Sequence, residues 1–356
     1  MVGDRPLGGT ARARHRRPVP QPRRVEAGLV TRALARMVLW RLAFTVPLLF
    51  AVTLGMFALA KASPFDPVRQ YLGDRAVVTS PEVMAQIRAN WGLDRPVAEQ
   101  YLTWLGNLVQ GDLGDSRSMH RPVAEVIGER LGWTLLAVSC ALVLMLVVSL
   151  AVGALAAWRH DSWLDRAITG SAYANEAAPV FWTALIVMWV FAVKLQWLPP
   201  GGLTDPAATT LEAGDVLHHM ILPVAVLAFS QSSWLLLFVR ESLITTLRED
   251  FVLGARARGL RERTVIVRHA LRSALLPFVT LLGARIPELV TGAILVETVF
   301  SWPGVASASV QAALAADFPL LAALTLLATL AVVVGNLLAD GAYVIADPRV
   351  RVLGVS

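Results

Sequence analysis

The sequence predicts an all-α membrane protein with six transmembrane helices. Of the 356 residues, 56% are hydrophobic and only 16% are charged, and the mean hydropathy is +0.58. Soluble domains are about 45–50% apolar and about 25% charged. The hydrophobic residues collect in six runs of roughly span length, and arginines cluster in particular connections between them. The excess of apolar side chains is therefore expected to face lipid.

Each predicted span contains about 20 mostly apolar residues, enough to cross about 30 Å of hydrocarbon. The runs are residues 42–60, 131–158, 179–198, 220–239, 274–296 and 320–338. The fourth run holds Gln231 among three serines, and the fifth holds Arg285, Pro287 and Glu288. Polar side chains at such depth usually face other helices or a water-filled cavity.

The distribution of Lys and Arg predicts that both termini are cytoplasmic. Ten arginines precede the first run and eight lie in the connection 240–272, whereas the connection 301–319 contains no Lys or Arg. Short loops rich in these residues stay in the cytoplasm, and a long mixed-charge loop such as 61–130 can be translocated regardless of charge. We therefore expect a multi-pass protein of the cytoplasmic membrane.

Composition divides the chain into two parts. Residues 1–36 are rich in Arg and Pro and have no apolar core, so they predict a disordered cytoplasmic tail rather than a signal peptide. This tail contains no aromatic residue, which argues against nucleic-acid binding, and anionic lipid headgroups would explain the same charges. Residues 37–356 form the transmembrane domain, with an extracytoplasmic loop at 61–130 and a cytoplasmic loop at 240–272.

The extracytoplasmic loop is expected to contain two helices. Ser80 and Pro81 are suited to the N-cap and the first position of one helix. The segment 97–110 places its apolar residues near one helical face, and Gly111 ends it. This amphipathic helix either covers the bundle or docks a partner from outside.

The loop 240–272 predicts a short helix–glycine–helix elbow that projects from the membrane. Asp250 is suited to the N-cap of the first helix, and Gly259 can end it in the left-handed conformation that glycine adopts without steric penalty. A second helical stretch, 262–271, leads into the fifth span. Small residues leave room for another surface to approach closely: Gly254, Ala255 and Ala257.

This elbow resembles the EAA loop of ABC-importer permeases, and its core, Ala-Arg-Ala-Arg-Gly-Leu at 255–260, resembles the version found in peptide importers. Leu253-Gly254-Ala255 stands where the general family has Glu-Ala-Ala, and Gly259 stands at the motif glycine. Further motifs agree in order, at 92–96, 111–114, 268–271, 296–304 and 347–349. Over residues 36–351 the chain resembles the B-type permease of dipeptide and oligopeptide importers, a family that also includes nickel-importer permeases.

The resemblance implies the type I ABC importer permease fold and a set of partners. These would be a second permease subunit, two ATPase subunits and an extracytoplasmic solute-binding protein, with a short peptide as the substrate. ATP and Mg²⁺ would be bound by the ATPase partners, and no cofactor by this chain. The resemblance assigns coupling to the ATPase to these residues: Asp250, Phe251, Leu253, Gly254, Ala255, Arg256, Ala257, Gly259 and Leu260.

The residues themselves predict neither a catalytic site nor a metal site. Lys61 and Lys194 are the two lysines and neither follows glycine, so the phosphate-binding Gly-x-x-x-x-Gly-Lys-Ser/Thr loop is missing. His218 and His219 have no further ligands at a useful spacing for zinc. The hydrolase motifs His-Glu-x-x-His and Gly-x-Ser-x-Gly do not occur. ATP hydrolysis is therefore expected in separate subunits.

Four polar residues of the predicted spans are candidates for a translocation path: Gln231, Arg285, Glu288 and Glu297. Arg285 and Glu288 are three residues apart on one helix and can pair. The pair is either a structural one that faces the second permease or a polar wall that touches the charged termini of a peptide. Glu297 can act at an outer gate or cap the turn at 301–304.

Other functions stay open at this level. Nickel or another peptide-like solute fits the same resemblance. A secondary transporter or channel would need an ion-coupling residue at mid-membrane and usually an internal repeat, and would leave the elbow unexplained. A membrane scaffold or membrane enzyme predicts no flux of solute.

Overall fold

The computed structural model describes residues 22–208 and 210–346, and helices dominate it. The α-helices are α1 (Pro22–Ala62), α2 (Pro67–Leu72), α3 (Pro81–Asn90), α4 (Val97–Val109), α5 (Val123–Trp158), α6 (Trp163–Ala177), α7 (Val180–Met188), α8 (Ala213–Thr246), α9 (Asp250–Ala257), α10 (Glu262–Thr264), α11 (Leu271–Ala274), α12 (Leu276–Val299), α13 (Val305–Leu314) and α14 (Phe318–Ala346). Residues Trp189–Lys194 and Val265–Ala270 are π-helical, and Gly73–Val77 is a 3₁₀ helix. Asp115–Ser116 (β1) and Arg121–Pro122 (β2) pair as a small antiparallel hairpin.

Four helices of the described residues are long and apolar enough to cross a membrane. They are Val38–Ala62, Val123–Trp158, Ala213–Thr246 and Phe318–Leu338. They cover the first, second, fourth and sixth predicted runs, and α12 covers the fifth as a helix of 24 residues. The prediction of a helical membrane protein is confirmed, whereas the count of six spans and the cytoplasmic termini stay predictions.

The third predicted run is not one straight helix. It corresponds to α7 and its π-helical continuation, which join α6 at an angle of 109°; the bent pair together qualifies as one further candidate span. Ala178 is extended (ψ 130°) because the ring of the following Pro179 clashes with the helical conformation of the residue before it. The Asn175 side-chain amide donates to the Phe229 carbonyl (2.8 Å) and to Ser233 Oγ (2.7 Å), which fixes the break against α8.

Helix α8 is the centre of the bundle, and α5, α6, α7 and α12 pack around it. Gly153 of α5 allows one close approach, because a Cβ there would lie 2.7 Å from the Leu236 carbonyl oxygen of α8. Ser149 Oγ, one turn earlier, donates to the Ser232 carbonyl (3.1 Å). Small residues and interhelical hydrogen bonds are the usual means of helix association in lipid.

Helix α1 lies at the edge of this bundle, and most of its side chains from residue 38 onward are partly or fully exposed. Thr53 and Phe57 are its main buried contacts: Thr53 Oγ1 lies 2.8 Å from the Tyr101 hydroxyl, and the Phe57 ring packs edge-on against Phe318 at 5.2 Å between centroids. An apolar helix with so few contacts inside its own chain suits contact with lipid or with another subunit.

The N-terminal part of α1 differs from the expectation of a disordered tail. The helix begins at Pro22, so residues 22–36 are helical. After Pro22 this stretch contains one glycine and no further proline, and its Ala, Leu, Arg and Glu residues favour helix, so nothing in it stops the first helix from extending backwards. The rest of the predicted tail, residues 1–21, lies outside the described residues.

Both helices predicted in the loop 61–130 are confirmed. Ser80 caps α3 by accepting from the Val83 N–H (3.4 Å), and Gly111 follows α4 with a φ of +86°. The face of α4 that carries Tyr101, Trp104 and Leu108 turns towards the chain, while its other face is exposed. The loop therefore covers part of the bundle, while docking of a partner on the exposed face of α4 stays a prediction.

Candidate functional site

The elbow begins one residue earlier than predicted. Glu249 occupies the N-cap position in an extended conformation, without a capping hydrogen bond from its side chain, and Asp250 is the first residue of α9. The prediction of Asp250 as the N-cap is therefore wrong. The Glu249 N–H donates to the Thr246 carbonyl in the turn that ends α8 (3.1 Å). The Glu249 carbonyl accepts from the Leu253 N–H (3.2 Å), the first hydrogen bond of the next helix.

Gly259 ends the elbow helix as predicted. Its φ is +79°, its N–H donates to the Arg256 carbonyl (2.9 Å), and the next N–H, of Leu260, reaches the Ala255 carbonyl (3.4 Å). These two hydrogen bonds form the Schellman motif, which needs a residue in the left-handed region. A Cβ at position 259 would meet no atom within 4 Å, so the need for glycine comes from the backbone angle alone.

One side of the elbow is locked onto the rest of the chain. Val252 and Ala255 are fully buried in a cluster with Leu243 and Ile244 of α8 and with residues of the segment 265–274. Ala255, which the resemblance places among the coupling residues, therefore packs inside this chain and positions the elbow. Val252 has the same role and was not singled out in the sequence, although it lies three residues before Ala255 on the same helical face.

The other side of the elbow is exposed and partly apolar. Phe251, Leu253 and Leu260 are 46%, 51% and 38% exposed. Exposed small residues and charged residues surround them: Gly254, Arg256, Ala257 and Gly259. Arg256 of α9 forms an ion pair with Glu262 of α10 (2.6 Å), which joins the two helices of the elbow. This hydrogen bonding raises the pKa of the Arg256 guanidinium. Such a surface has the composition of a protein contact.

An ion pair that the sequence analysis missed ties the base of the elbow to α6. Arg240, near the end of α8, donates to both carboxylate oxygens of Asp165, at 2.6 and 2.7 Å. The pattern Ser162-x-x-Asp165 could have identified the start of α6, since Ser162 Oγ accepts from the Asp165 N–H (3.2 Å). His160 and Asp161 lie close enough to Asp165 for a metal site, but the Arg240 guanidinium already uses both oxygens of Asp165.

Arg285 and Glu288 do pair, and the structure adds two neighbours. Arg285 makes an ion pair with Glu288 on α12, lies 3.7 Å from Glu176 at the end of α6, and stacks its guanidinium over the Trp234 ring of α8 at 4.6 Å. The Arg285 side chain is 11% exposed, while the Glu176 and Glu288 side chains are 43% and 51% exposed. Three helices thus meet at one polar cluster.

Two other residues predicted for the path are buried within this chain, and their role in the path stays a prediction. Gln231 is 8% exposed, and a Cβ at Gly292 of α12 would lie 3.4 Å from its amide nitrogen, so Gln231 sits between α8 and α12. Glu297 is 3% exposed; one oxygen accepts from Thr134 Oγ1 (2.6 Å) and the other from the Ser307 N–H (3.0 Å). Its capping alternative is therefore the one that the geometry supports, because a carboxylate at the start of α13 satisfies free N–H groups there.

Known protein families match nearly the whole chain. Residues 149–352 match the family described as "Binding-protein-dependent transport system inner membrane component", and residues 34–137 match its N-terminal counterpart, "Binding-prot-dependent transport system membrane comp, N-term". A putative peptide permease protein of Brucella suis biovar 1 is 39% identical over 318 residues, covering 89% of this chain and 99% of the relative.

Two further relatives have more specific names. The oligopeptide transport system permease protein AppB of Bacillus subtilis is 37% identical over 319 residues, covering 89% of this chain and all of the relative. The dipeptide transport system permease protein DppB of Escherichia coli K12 is 34% identical over 336 residues, covering 89% of this chain and 98% of the relative.

Proposed function

This chain belongs to the family of binding-protein-dependent transport system inner membrane components, and we propose that it is the permease subunit of an ATP-driven ABC importer for short peptides. The relatives named as peptide, oligopeptide and dipeptide permeases align with it over nearly their whole length, which supports peptides over nickel as the substrate. A secondary transporter or channel would leave both this family membership and the elbow without explanation.

The importer would contain this permease, a second permease subunit, two ATPase subunits and an extracytoplasmic solute-binding protein. The sequence of this chain lacks the lysine-containing loop that cradles nucleotide phosphates. ATP and Mg²⁺ would accordingly bind to the ATPase subunits, and this chain would carry no catalytic group. Six spans with both termini in the cytoplasm would place the elbow on the side where ATP is available.

The observation that carries this proposal is the two-sided elbow. Its exposed apolar side chains, Phe251, Leu253 and Leu260, would fit a groove on an ATPase subunit, and its buried pair, Val252 and Ala255, joins it to α8 and to the helical segment before α12. A displacement of the exposed side would therefore move α8 and α12, two of the three helices that meet at the Arg285 cluster. Closure of the ATPase pair would in this way open the path by alternating access.

The polar cluster of Glu176, Arg285 and Glu288 would form part of the path, and it would present negative rather than positive charge. One guanidinium and two carboxylates give it a net charge of −1 when all are ionised, and the exposed groups are the carboxylates of Glu176 and Glu288. Arg285 is shielded below them on the Trp234 ring. We infer that the cluster offers its carboxylates to the ammonium terminus of a peptide, and that Arg285 holds them in place.

Gly259→Val tests the coupling role of the elbow. A β-branched residue at a φ of +79° is strained by about 1–3 kcal/mol, so the elbow should leave its conformation while the spans, which insert by hydrophobicity, stay in place. We expect wild-type amounts of this subunit in the membrane, at least tenfold less ATPase subunit recovered with it, and loss of ATP-driven peptide uptake into vesicles.

Gly111→Val is the matched control. Gly111 has a φ of +86° and open space around its Cβ, like Gly259, but it lies after α4, remote from the elbow. ATPase recovery should stay at the wild-type level in this variant. Full ATPase recovery together with full uptake in Gly259→Val would remove the coupling role from the elbow.

A further inference from the structure

A cavity of about 710 Å³ lies where the loop 61–130 meets two of the candidate spans, and the transport mechanism makes no use of it. Its walls come from the end of α1, the turn after α3, α4, the hairpin and the start of α14. Residues 92, 93 and 95 of the Gly-Leu-Asp-Arg-Pro motif are among the lining residues. Its size is within the usual range for a bound small molecule.

The charge in this cavity is positive, and two of its three cations have no carboxylate in contact among the described residues. Lys61, Arg95 and Arg117 line it, and the lining residues that the structure describes include no aspartate or glutamate. Arg95 is paired outward with Glu99 (3.2 Å), whereas Lys61 donates only to the neutral Gln100 side chain (2.6 Å) among its described contacts.

Arg117 is held in place without a carboxylate in contact. Its guanidinium stacks over the Trp91 ring at 4.2 Å, and its charge repels that of Lys61. Asp317 attracts it from farther away, but the Asp317 carboxylate is fully buried and accepts hydrogen bonds from Ser116 and Ser118. Burial lowers the pKa of Arg117, because it disfavours the charged guanidinium. An anion in contact with the guanidinium would stabilise that charge.

The position of the cavity favours an amphiphile over a soluble anion. Lys61 is the penultimate residue of the candidate span Val38–Ala62, and Phe318 is the first residue of the candidate span Phe318–Leu338. The cavity would therefore lie at the level where both spans leave the hydrocarbon. Trp91 and Trp104 line it there, and Trp is typical of the headgroup level of a membrane. Below the cations the wall continues with apolar side chains such as Met56 and Phe57 of α1.

We propose that this cavity binds one anionic phospholipid, with its phosphate held by Lys61 and Arg117 and its acyl chains lying along α1. The lipid would supply the missing counter-ion and would cover apolar side chains that α1 leaves exposed. It would also join the loop 61–130 to the membrane at the point where α4 contacts α1.

The test uses native mass spectrometry of the complete importer with equal amounts of phosphatidylglycerol and phosphatidylcholine of the same acyl length. The wild type should retain one phosphatidylglycerol in preference to phosphatidylcholine. The double variant Lys61→Gln with Arg117→Gln should lose that preference at least tenfold, since each cation near a lipid surface contributes about a factor of five. The variant Lys61→Arg with Arg117→Lys keeps both charges and should keep the lipid.

A matched control is available elsewhere in the chain. Lys194 lies over the Trp189 ring (5.2 Å) and Arg159 over the Trp158 ring (5.7 Å), so both are cations on tryptophan at the ends of helical segments, but neither lines the cavity. Lys194→Gln with Arg159→Gln should therefore leave retention of the lipid unchanged.

Three results would overturn the proposal. Equal retention of phosphatidylglycerol by the wild type and the Lys61/Arg117 double glutamine variant would show that the cavity does not hold it. Displacement of the lipid by millimolar inorganic phosphate would indicate a site for a free anion. Unchanged lipid retention with loss of solute-binding protein from the same variant would assign the two cations to an acidic protein surface. None of these readouts depends on which solute is transported.

Discussion

Two clusters of this chain pair a shielded arginine with carboxylates, around Arg240 and around Arg285. They differ in how far water can reach the carboxylates. The Arg240 and Arg285 side chains are similarly shielded, 16% and 11% exposed. The Asp165 carboxylate that binds Arg240 is 3% exposed, whereas the two glutamates beside Arg285 are about half exposed. The difference between the clusters therefore lies in the acids.

This difference separates a structural ion pair from a candidate binding site. Arg240 and Asp165 satisfy each other in a bidentate arrangement, with further hydrogen bonds to Asp165 from the Asp161 N–H and contact with His160, so no oxygen is left for a ligand. Glu176 and Glu288 have exposed oxygens that a second charged group can reach. Burial of the acid, more than the presence of an arginine at membrane depth, distinguishes the two roles.

The largest effect is expected from Asp165→Ala, which leaves Arg240 shielded from water without its carboxylate. Removing one partner of a buried ion pair costs about 3–5 kcal/mol, so the purified complex should unfold at a clearly lower temperature and assemble in smaller amounts. The control is Asp161→Asn, because Asp161 lies beside the same histidine with a side chain that is 82% exposed, and asparagine tolerates its φ of +61°. An unfolding temperature equal to that of the wild type would show that the pair contributes no stability.

A smaller structural effect with a larger effect on transport is expected from Glu176→Gln combined with Glu288→Gln. Arg285 would keep the Trp234 ring and the two glutamine amide oxygens as partners, and the lost acids are about half exposed, so the unfolding temperature should fall less than in Asp165→Ala. Its KM for uptake should rise for peptides with a free amino terminus and change little for N-acetylated peptides. Glu241→Gln is the matched control, since Glu241 lies 3.5 Å from Arg240 with a side chain that is 72% exposed. Equal KM changes for both peptide types would remove the cluster from substrate recognition.

The smallest disturbance comes from single exposed cysteines that locate the two ends of α8 relative to the membrane. With Cys140, the one native cysteine, replaced by alanine, a cysteine at Ala207 in the loop before α8 should react with a membrane-impermeant reagent in intact cells. One at Arg261 in the elbow should react only after permeabilisation. This outcome would put the Arg240 cluster near the inner surface. Reversed labelling would overturn both the predicted orientation and the coupling role of the elbow.

Several local features follow directly from short-range chemistry, and the sequence predicts them well. Ser80 and Pro81 start α3, Gly111 follows α4, and Gly259 ends α9 with a positive φ, each because the residue type sets the local backbone. The bend at Pro179 also follows from a local rule, but its companion helix α6 was missed. Helix α6 mixes polar and apolar residues and is positioned by contacts with α8, such as those of Asn175, which lie far apart in the sequence.

The sequence by itself determined the membrane class, the positions of most long helices, the elbow and the family, because hydrophobicity, arginine placement and glycine angles act within one segment. Only the tertiary structure decided which polar residues are available. Gln231 and Glu297 turn inward, Ala255 and Val252 anchor the elbow, and Arg285 gains Glu176 from another helix. Exposure of a side chain depends on helices that approach from distant parts of the chain, and a pattern within one segment carries no information about that approach.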